Sequence, residues 1–138
     1  MSIINLTPHA VQVYDESQFT NLEQVNPTTW VADGVVDKPI AEYPSQGMAR
    51  IKTHTQVITQ PPLCEDDFKD VMLVETIYGE ATGVPEVTGQ DHFIVSLPMQ
   101  SMAKQAALDA APYMVSPYKV VRSRQNGSLV LGCMGFTY

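Results

Sequence analysis

The stretch HFIVSLPMQSMAKQAALDAA, residues 92–111, joins an apolar run to a helical pattern, and it decides the fold class. The run HFIVSL has the length and apolar character of a buried central strand. Pro98 suits the first turn of a helix, where its missing N–H breaks no bond, and Ser96 precedes it as a candidate N-cap. Apolar residues then recur at helical spacing until Pro112, which cannot continue a helix. The stretch therefore predicts one strand followed by one helix over residues 98–111.

Strand patterns occupy most of the remaining chain. Apolar and polar side chains alternate at period two, with many β-branched residues, over residues 48–59 and again over 70–78. The opening residues 3–14 also favour a strand. Near the C-terminus, the Asn126-Gly127 pair stands between two apolar runs and predicts a hairpin. With six to eight strands and one helix, we predict an α+β domain with a mostly antiparallel sheet or a small barrel.

Residues 15–47 interrupt this pattern with a dense series of turn signals. Asn, Asp, Pro and Gly separate short apolar pieces, of which 28–31 and 33–36 are candidate strands. A connection of this length inside a compact domain rarely lacks structure, so we expect it to carry a hairpin of its own. Trp30, the only tryptophan, is expected to anchor it to the body of the fold. We therefore predict a single domain over residues 1–138, with 15–47 as a turn-rich insertion.

Composition and charge exclude several classes of protein. Fifteen acidic and eight basic residues give a formal net charge of −7 in 138 residues. This balance argues against a protein that coats nucleic acid, which needs clustered Lys and Arg. No apolar run approaches the roughly 20 residues that cross a bilayer, and the N-terminus lacks the features of a signal peptide. We expect a cytosolic protein that does not bind membranes, with Cys64 and Cys133 as free thiols because that compartment is reducing.

The sequence holds no motif of catalytic, metal-binding or cofactor-binding chemistry. The three histidines lack metal-ligand spacing, and nucleophile and phosphate-loop motifs are missing. The acidic cluster within residues 65–70 lacks the pattern of a calcium loop. We therefore predict no catalytic residue, no metal ligand and no cofactor. Glu80, His92 and Tyr78 are acid–base groups that would support an enzyme only if they converged in space, so an enzyme is the less favoured alternative.

Positive charge is sparse and is concentrated in two of the predicted β elements. Five of the eight Lys and Arg residues lie there: Arg50, Lys52, Lys119, Arg122 and Arg124. If the two elements are neighbours, they form a basic patch able to grip a carboxylate or a phosphate. The alternative is ordinary cross-strand pairing with Glu75 and Glu80.

A constrained loop, YGEATGVPE at residues 78–86, offers a phenol, a carboxylate and flexible backbone amides. Such a loop either lines a ligand pocket or turns a corner between strands. If a pocket exists, the candidate ligand-binding residues are Arg50, Tyr78, Glu80 and Arg122.

Five stretches carry a family resemblance. In chain order they are NLTPHA at 5–10, PSQGMAR at 44–50, YGEATGVPE at 78–86, FIVS at 93–96, and Arg122 with Gly127 and Gly132-Cys133. Together they resemble a family of small uncharacterised proteins from bacteriophages, prophages and actinobacteria that begin with an NLTPHA strand. The sequence departs from that family in residues 15–47 and in the acidic loop at 65–70. The resemblance implies a phage accessory protein that acts in the cytoplasm of the infected bacterium, and it assigns no catalytic residue.

These observations predict a non-enzymatic accessory protein that counteracts host defence by binding a small anionic, nucleotide-like signal or a host protein. A virion or assembly-associated structural protein is the first alternative, and an acidic mimic of nucleic acid that inhibits a host enzyme is the second. The apolar C-terminus over residues 132–138 needs the domain core or a partner to cover it. We expect a homo-oligomer, with a symmetric dimer as the default.

Overall fold

A computed structural model describes residues 2–57, 72 and 74–138, without the side chains of Thr53 and Tyr78. Three earlier predictions lie partly or wholly outside these residues: the thiol of Cys64, the acidic cluster within 65–70, and the ends of two predicted strands at 58–59 and 70–71. The described ranges contain no helix that is both long enough and apolar enough to cross a membrane.

Within the described residues, fourteen short strands surround one α-helix, which confirms the α+β class. The strands are β1 (Ile3–Asn5), β2 (Val11–Val13), β3 (Phe19–Thr20), β4 (Glu23–Asn26), β5 (Thr29–Ala32), β6 (Gly34–Val35), β7 (Ala41–Tyr43), β8 (Arg50–Val57), β9 (Val74–Thr82), β10 (His92–Ile94), β11 (Met114–Tyr118), β12 (Val121–Ser123), β13 (Val130–Gly132) and β14 (Gly135–Thr137). Helix α1 spans Leu97–Gln105, and 3₁₀ turns span Glu16–Gln18 and Ala111–Tyr113.

Two four-stranded sheets carry the core. The first has the order β1-β10-β11-β14, and β10 lies in its middle, parallel to both neighbours. The second has the order β13-β12-β5-β4, with β12 parallel to β5. Three antiparallel pairs, β2 with β7, β3 with β6 and β8 with β9, accompany them. The described strands thus form several small, mostly antiparallel sheets, and none of these sheets closes into the barrel that the sequence allowed.

Two apolar clusters fill the space around these sheets. The larger one joins α1 to the first sheet through fully buried side chains, among them Val95, Met99 and Met114. The smaller one lies on the second sheet and includes Val121 and Phe19. The segment 15–47 therefore packs with β12 in a second apolar cluster, separate from the one around α1.

Helix α1 begins as predicted and ends earlier than predicted. Ser96 is the N-cap, and its Oγ accepts a hydrogen bond from the Met99 N–H at 3.4 Å. The predicted helix over 98–111 was too long, because the helix stops at a Schellman motif in which Ala107 takes a φ of +51°. There the Leu108 N–H donates to the Ala103 carbonyl at 3.0 Å, and Leu108 turns into the core. Glycine usually occupies the Ala107 position, so the sequence carried no signal for this stop.

The hairpins expected within residues 15–47 and around Asn126-Gly127 are both present. Strands β4 and β5 pair inside residues 15–47, and β12 pairs with β13 across the Asn126-Gly127 sequence. The second turn differs from the two-residue type that Asn-Gly favours, since six residues, 124–129, separate the strands. Asn126 instead closes it by accepting from the N–H and the hydroxyl of Ser128.

The C-terminal stretch packs largely on its own domain. Strand β14 pairs with β11, and the Phe136 ring lies 5.7 Å from that of Tyr43. From helix α1, the Gln100 side chain donates to the Thr137 carbonyl of β14 at 3.1 Å. Tyr138 alone stays largely exposed, at 70%. The domain core therefore covers most of the residues for which the sequence left a partner open.

Candidate functional site

The four predicted ligand-binding residues lie in two separate sheets. Arg50, Tyr78 and Glu80 belong to the β8–β9 ribbon, where the Arg50 and Glu80 side chains are exposed. The side chain of Tyr78 lies outside the described part of the structure. Arg122 lies on β12, and its guanidinium donates to the Gly127 carbonyl at 3.3 Å. The fold therefore brings three of these positions onto one ribbon and places the fourth elsewhere.

The two basic β elements are not paired with each other. Strand β8 pairs with β9, whereas β12 lies between β13 and β5. The condition for a shared basic patch, that these strands be neighbours, is therefore not met by strand pairing.

Arg124 holds the segment 15–47 against the C-terminal hairpin. Its guanidinium donates to the Asp33 carboxylate, to the Asn21 carbonyl at 2.8 Å and to Glu23 at 3.3 Å. The Asn21 side-chain amide and Arg124 together lower the pKa of Asp33, and the Asp33 carboxylate raises the pKa of Arg124. The carboxylates paired with this hairpin are thus those of the 15–47 segment, not the predicted Glu75 and Glu80.

Lys119 makes a second contact between the hairpin and that segment. Its ammonium lies 5.0 Å from the centroid of the Trp30 ring and 5.5 Å from that of Tyr118. Its backbone has a φ of +49°, which is uncommon for a residue other than glycine or asparagine. The turn conformation thus places the ammonium over two aromatic rings, where cation–π attraction is favourable. Two of the five clustered cations therefore serve to join parts of the fold.

The NLTPHA stretch forms a turn around a fully buried asparagine. The Asn5 side chain donates to the carbonyls of His9 and Tyr43, both at 2.8 Å. Its Oδ1 accepts from the Thr7 N–H at 2.9 Å and from the Thr7 hydroxyl at 2.6 Å. Every polar atom of this buried side chain is therefore satisfied, as burial requires.

Two other stretches that carry the family resemblance pack close to this turn. The Ser45 hydroxyl of PSQGMAR donates to the Thr7 carbonyl at 2.6 Å. Gly83 of YGEATGVPE has a φ of +70°, and a Cβ there would lie 2.1 Å from the Met48 carbonyl oxygen. Only glycine fits so close an approach. These short polar stretches thus fix the path of the chain around residues 5–10.

A cavity of about 570 Å³ lies between the chain around β2 and the chain around β13. We call residues 7–12 the β2 wall and residues 128–133 the β13 wall. Ser96, Pro117 and Val120 complete the lining. Among the described residues of the lining, Lys, Arg, Asp and Glu do not occur, and His9 and Cys133 are the titratable ones. No sequence motif predicted this cavity, and Arg50, Glu80 and Arg122 are not among its described lining residues.

The two walls meet at one end of the cavity. The Cys133 N–H donates to the Gln12 carbonyl at 3.0 Å, and the Tyr14 N–H donates to the Cys133 carbonyl at 2.9 Å. Gly132 allows this approach, because a Cβ there would lie 2.5 Å from the buried Tyr14 ring. The contact closes the cavity at that end.

Apart from this contact, the described parts of the β13 wall and the β2 wall do not pair, and β13 carries a bulge. Val121 is opposite Gly132 and Arg122 is opposite Val130, so Leu131 is an extra residue on β13. Such a bulge bends and twists the strand that carries it. The bulge lies two residues before Cys133, whose backbone bonds to Gln12 and Tyr14 and joins the two walls.

Apolar side chains at the open part of the cavity face solvent. Leu129 is 52% exposed and Val130 is 47% exposed. Deeper inside, burial raises the pKa of the Cys133 thiol, which is therefore protonated at neutral pH and a poor nucleophile. The chemistry of this cavity is that of apolar contact bordered by hydroxyl, amide and imidazole groups.

Three of the five stretches that carry the family resemblance supply residues to the lining. They contribute Thr7, His9 and Ala10, then Ser96, then Gly132 and Cys133. The signal that could have found the cavity was thus the set of stretches on which the predicted resemblance rests, rather than any catalytic or ligand motif.

Elsewhere, a shallower cavity of about 420 Å³ lies beside the end of α1. Lys104 and Tyr138 border it, with the Lys104 ammonium 4.9 Å from the Tyr138 ring centroid. Among the residues that the structure describes, no three His, Cys, Asp or Glu side chains are grouped closely enough to hold a metal ion.

Comparisons with known proteins give no match: no family model fits the sequence, and no curated protein or solved structure resembles it significantly. The candidate site therefore stands on its own geometry.

Proposed function

We propose that this chain is a non-enzymatic accessory binding protein of phage origin, which holds a host protein in the cavity between the β2 and β13 walls. The phage origin and the role against host defence are supported by the NLTPHA resemblance. The binding site is supported by the uncharged lining and by Leu129 and Val130, which stay about half exposed at its rim.

The lining favours a protein over a small anionic signal. A phosphate or carboxylate is usually held by Arg or Lys, and neither occurs among the described residues that line this cavity. Covering exposed leucine and valine side chains instead favours binding by about 25 cal/mol for each Å² of apolar surface that a partner removes from water. Of the two ligands expected from the sequence, the host protein is therefore the one that this site fits.

A selection from a displayed library of random dodecapeptides tests the site. Peptides enriched on the wild-type chain should bind the Leu129→Glu variant at least tenfold more weakly, because the carboxylate would have to be buried. Val25→Glu is the matched control, since Val25 is 51% exposed on β4 and does not line the cavity. The absence of any enriched peptide, or equal binding by both variants, would contradict the proposal.

Plating efficiency tests the role against host defence. Bacteria that carry a defence system and express the wild-type chain or Val25→Glu should admit a defence-sensitive phage, and those that express Leu129→Glu should not. If all three behave like the empty control, the anti-defence role falls while the binding site stands. Thermal stabilisation by cyclic nucleotides or ADP-ribose that is unchanged in Leu129→Glu would favour the small anionic ligand instead.

A further inference from the structure

We infer that the occupant of the cavity is an extended, uncharged peptide segment that adds as a strand to the edge of β2 facing away from β7. This inference rests on the proposed function and names the chemistry of the partner segment. It is carried by the backbone of β2, the bulge of β13 and the side chains that border the cavity between them.

Among the strands that the structure describes, β2 forms a ladder along one of its edges only. Val11 is opposite Tyr43 and Val13 is opposite Ala41 on β7. The other edge meets the β13 wall at the single bridge between Val13 and Cys133. Before that bridge, this edge of β2 faces the cavity.

The backbone of Gln12 shows which of its polar groups face the cavity. Its carbonyl accepts the Cys133 N–H, so it points toward the β13 wall. In an extended strand, the N–H and the carbonyl of one residue point to the same side, so the Gln12 N–H also points there. In the described chain β2 and β13 share no ladder and meet at the single Val13–Cys133 bridge, so no carbonyl of the β13 wall pairs with the Gln12 N–H. A strand edge with an unused donor is a template for pairing with another chain.

The side chains around the gap define what could pair there. Strand addition takes its affinity from main-chain hydrogen bonds and its specificity from pockets for alternate side chains. Leu129 and Val130 offer apolar contact to one side of an added strand, and Thr7 and Ser96 offer hydroxyl groups. A segment that alternates β-branched and small polar residues, without charges, matches this lining.

Backbone methylation of a bound peptide tests the inference. A dodecapeptide enriched on the wild-type chain is synthesised in two forms, with N-methyl groups on odd or on even residues. One form should lose at least tenfold in affinity and the other should stay within about threefold, because alternate residues of a strand face its partner. In parallel, the bound peptide should slow hydrogen exchange of the Gln12 amide at least tenfold, with the Val25 amide on edge strand β4 as the control.

The outcomes separate this inference from the proposed function. Binding that is lost in Leu129→Glu, yet unaffected in both methylated forms and accompanied by unchanged Gln12 exchange, overturns strand addition and leaves the cavity as a binding site. If no peptide is enriched on the wild-type chain, both proposals fall.

Discussion

Each wall of the cavity follows an asparagine whose side chain closes a turn by bonding to the residue two positions later. Asn5 accepts from the N–H and hydroxyl of Thr7, and Asn126 accepts from the N–H and hydroxyl of Ser128. Asn5 is fully buried and also donates to two carbonyls, whereas Asn126 is exposed. The same local chemistry thus forms an interior anchor at one wall and a surface turn at the other.

This difference explains how one fold can present a defined but open site. The β2 wall is fixed by a buried network and by its ladder with β7. The β13 wall is an edge strand with a bulge, and its apolar side chains at positions 129 and 130 face solvent. A partner bound at the proposed site would therefore meet one wall already in place and cover the exposed side chains of the other.

Replacing the two asparagines tests the contrast most strongly. Asn5→Ala should lower the free energy of unfolding by about 2–4 kcal/mol, because it leaves the His9 and Tyr43 carbonyls without their donor in a partly buried site. Asn126→Ala should lower it by less than about 1 kcal/mol, as is usual for an exposed position. Urea denaturation measures both, and equal losses would remove the distinction between the walls.

Adding one methyl group where the walls meet should have the next largest effect. Gly132→Ala should destabilise the chain by about 1–3 kcal/mol, since its Cβ would overlap the buried Tyr14 ring. Gly127→Ala, on the exposed turn, has no atom within 4 Å of the added Cβ and should stay within about 0.5 kcal/mol of the wild type. If the Gly132→Ala variant were as stable as the wild type, the chain at the closed end of the cavity would be packed less tightly than described.

Breaking the contact between the hairpin and residues 15–47 should have the smallest effect. At neutral pH, Arg124→Gln should lower Tm by about 1–4 °C, because the ion pairs it removes are solvent-exposed. The pKa of Asp33 is lowered in the folded chain, so its pairing stabilises the fold above the ordinary Asp pKa and is lost as pH falls through the lowered value. The Tm difference should therefore be constant between pH 7 and 5 and narrow below about pH 4.

Thermal melts of both proteins across this pH range provide the measurement. Arg122→Gln is the control, since Arg122 bonds only the neutral Gly127 carbonyl among the described residues. A Tm difference for Arg124→Gln that grows on acidification would contradict the assigned ion pairs.

The sequence predicted local structure where local chemistry determines it. Ser96 and Pro98 placed the start of the helix, and period-two alternation placed β8 and the first part of β9. Strand β9 then continues through residues 79–82, which the sequence had assigned to a loop. The end of the helix escaped prediction because Ala107 adopts a glycine-like conformation so that Leu108 can reach the core. That choice depends on tertiary packing, which no local pattern records.

The candidate site was harder to predict for a related reason. Counting cations drew attention to Arg50 and Arg122, but strand pairing separates β8 from β12 and uses Lys119 and Arg124 within the fold. The cavity depends instead on a bulge at Leu131 and on contacts between residues more than 100 positions apart. Neither follows from hydropathy or from charge.

The most direct test of the central claim is the two-dimensional amide NMR spectrum of the wild-type chain, titrated with a peptide enriched in the selection. The largest shift changes should fall on residues 7–12 and 128–133, with little change on β8 and β9. Shift changes centred on Arg50 and Glu80, with the cavity residues unmoved, would contradict the account and return the site to the β8–β9 ribbon.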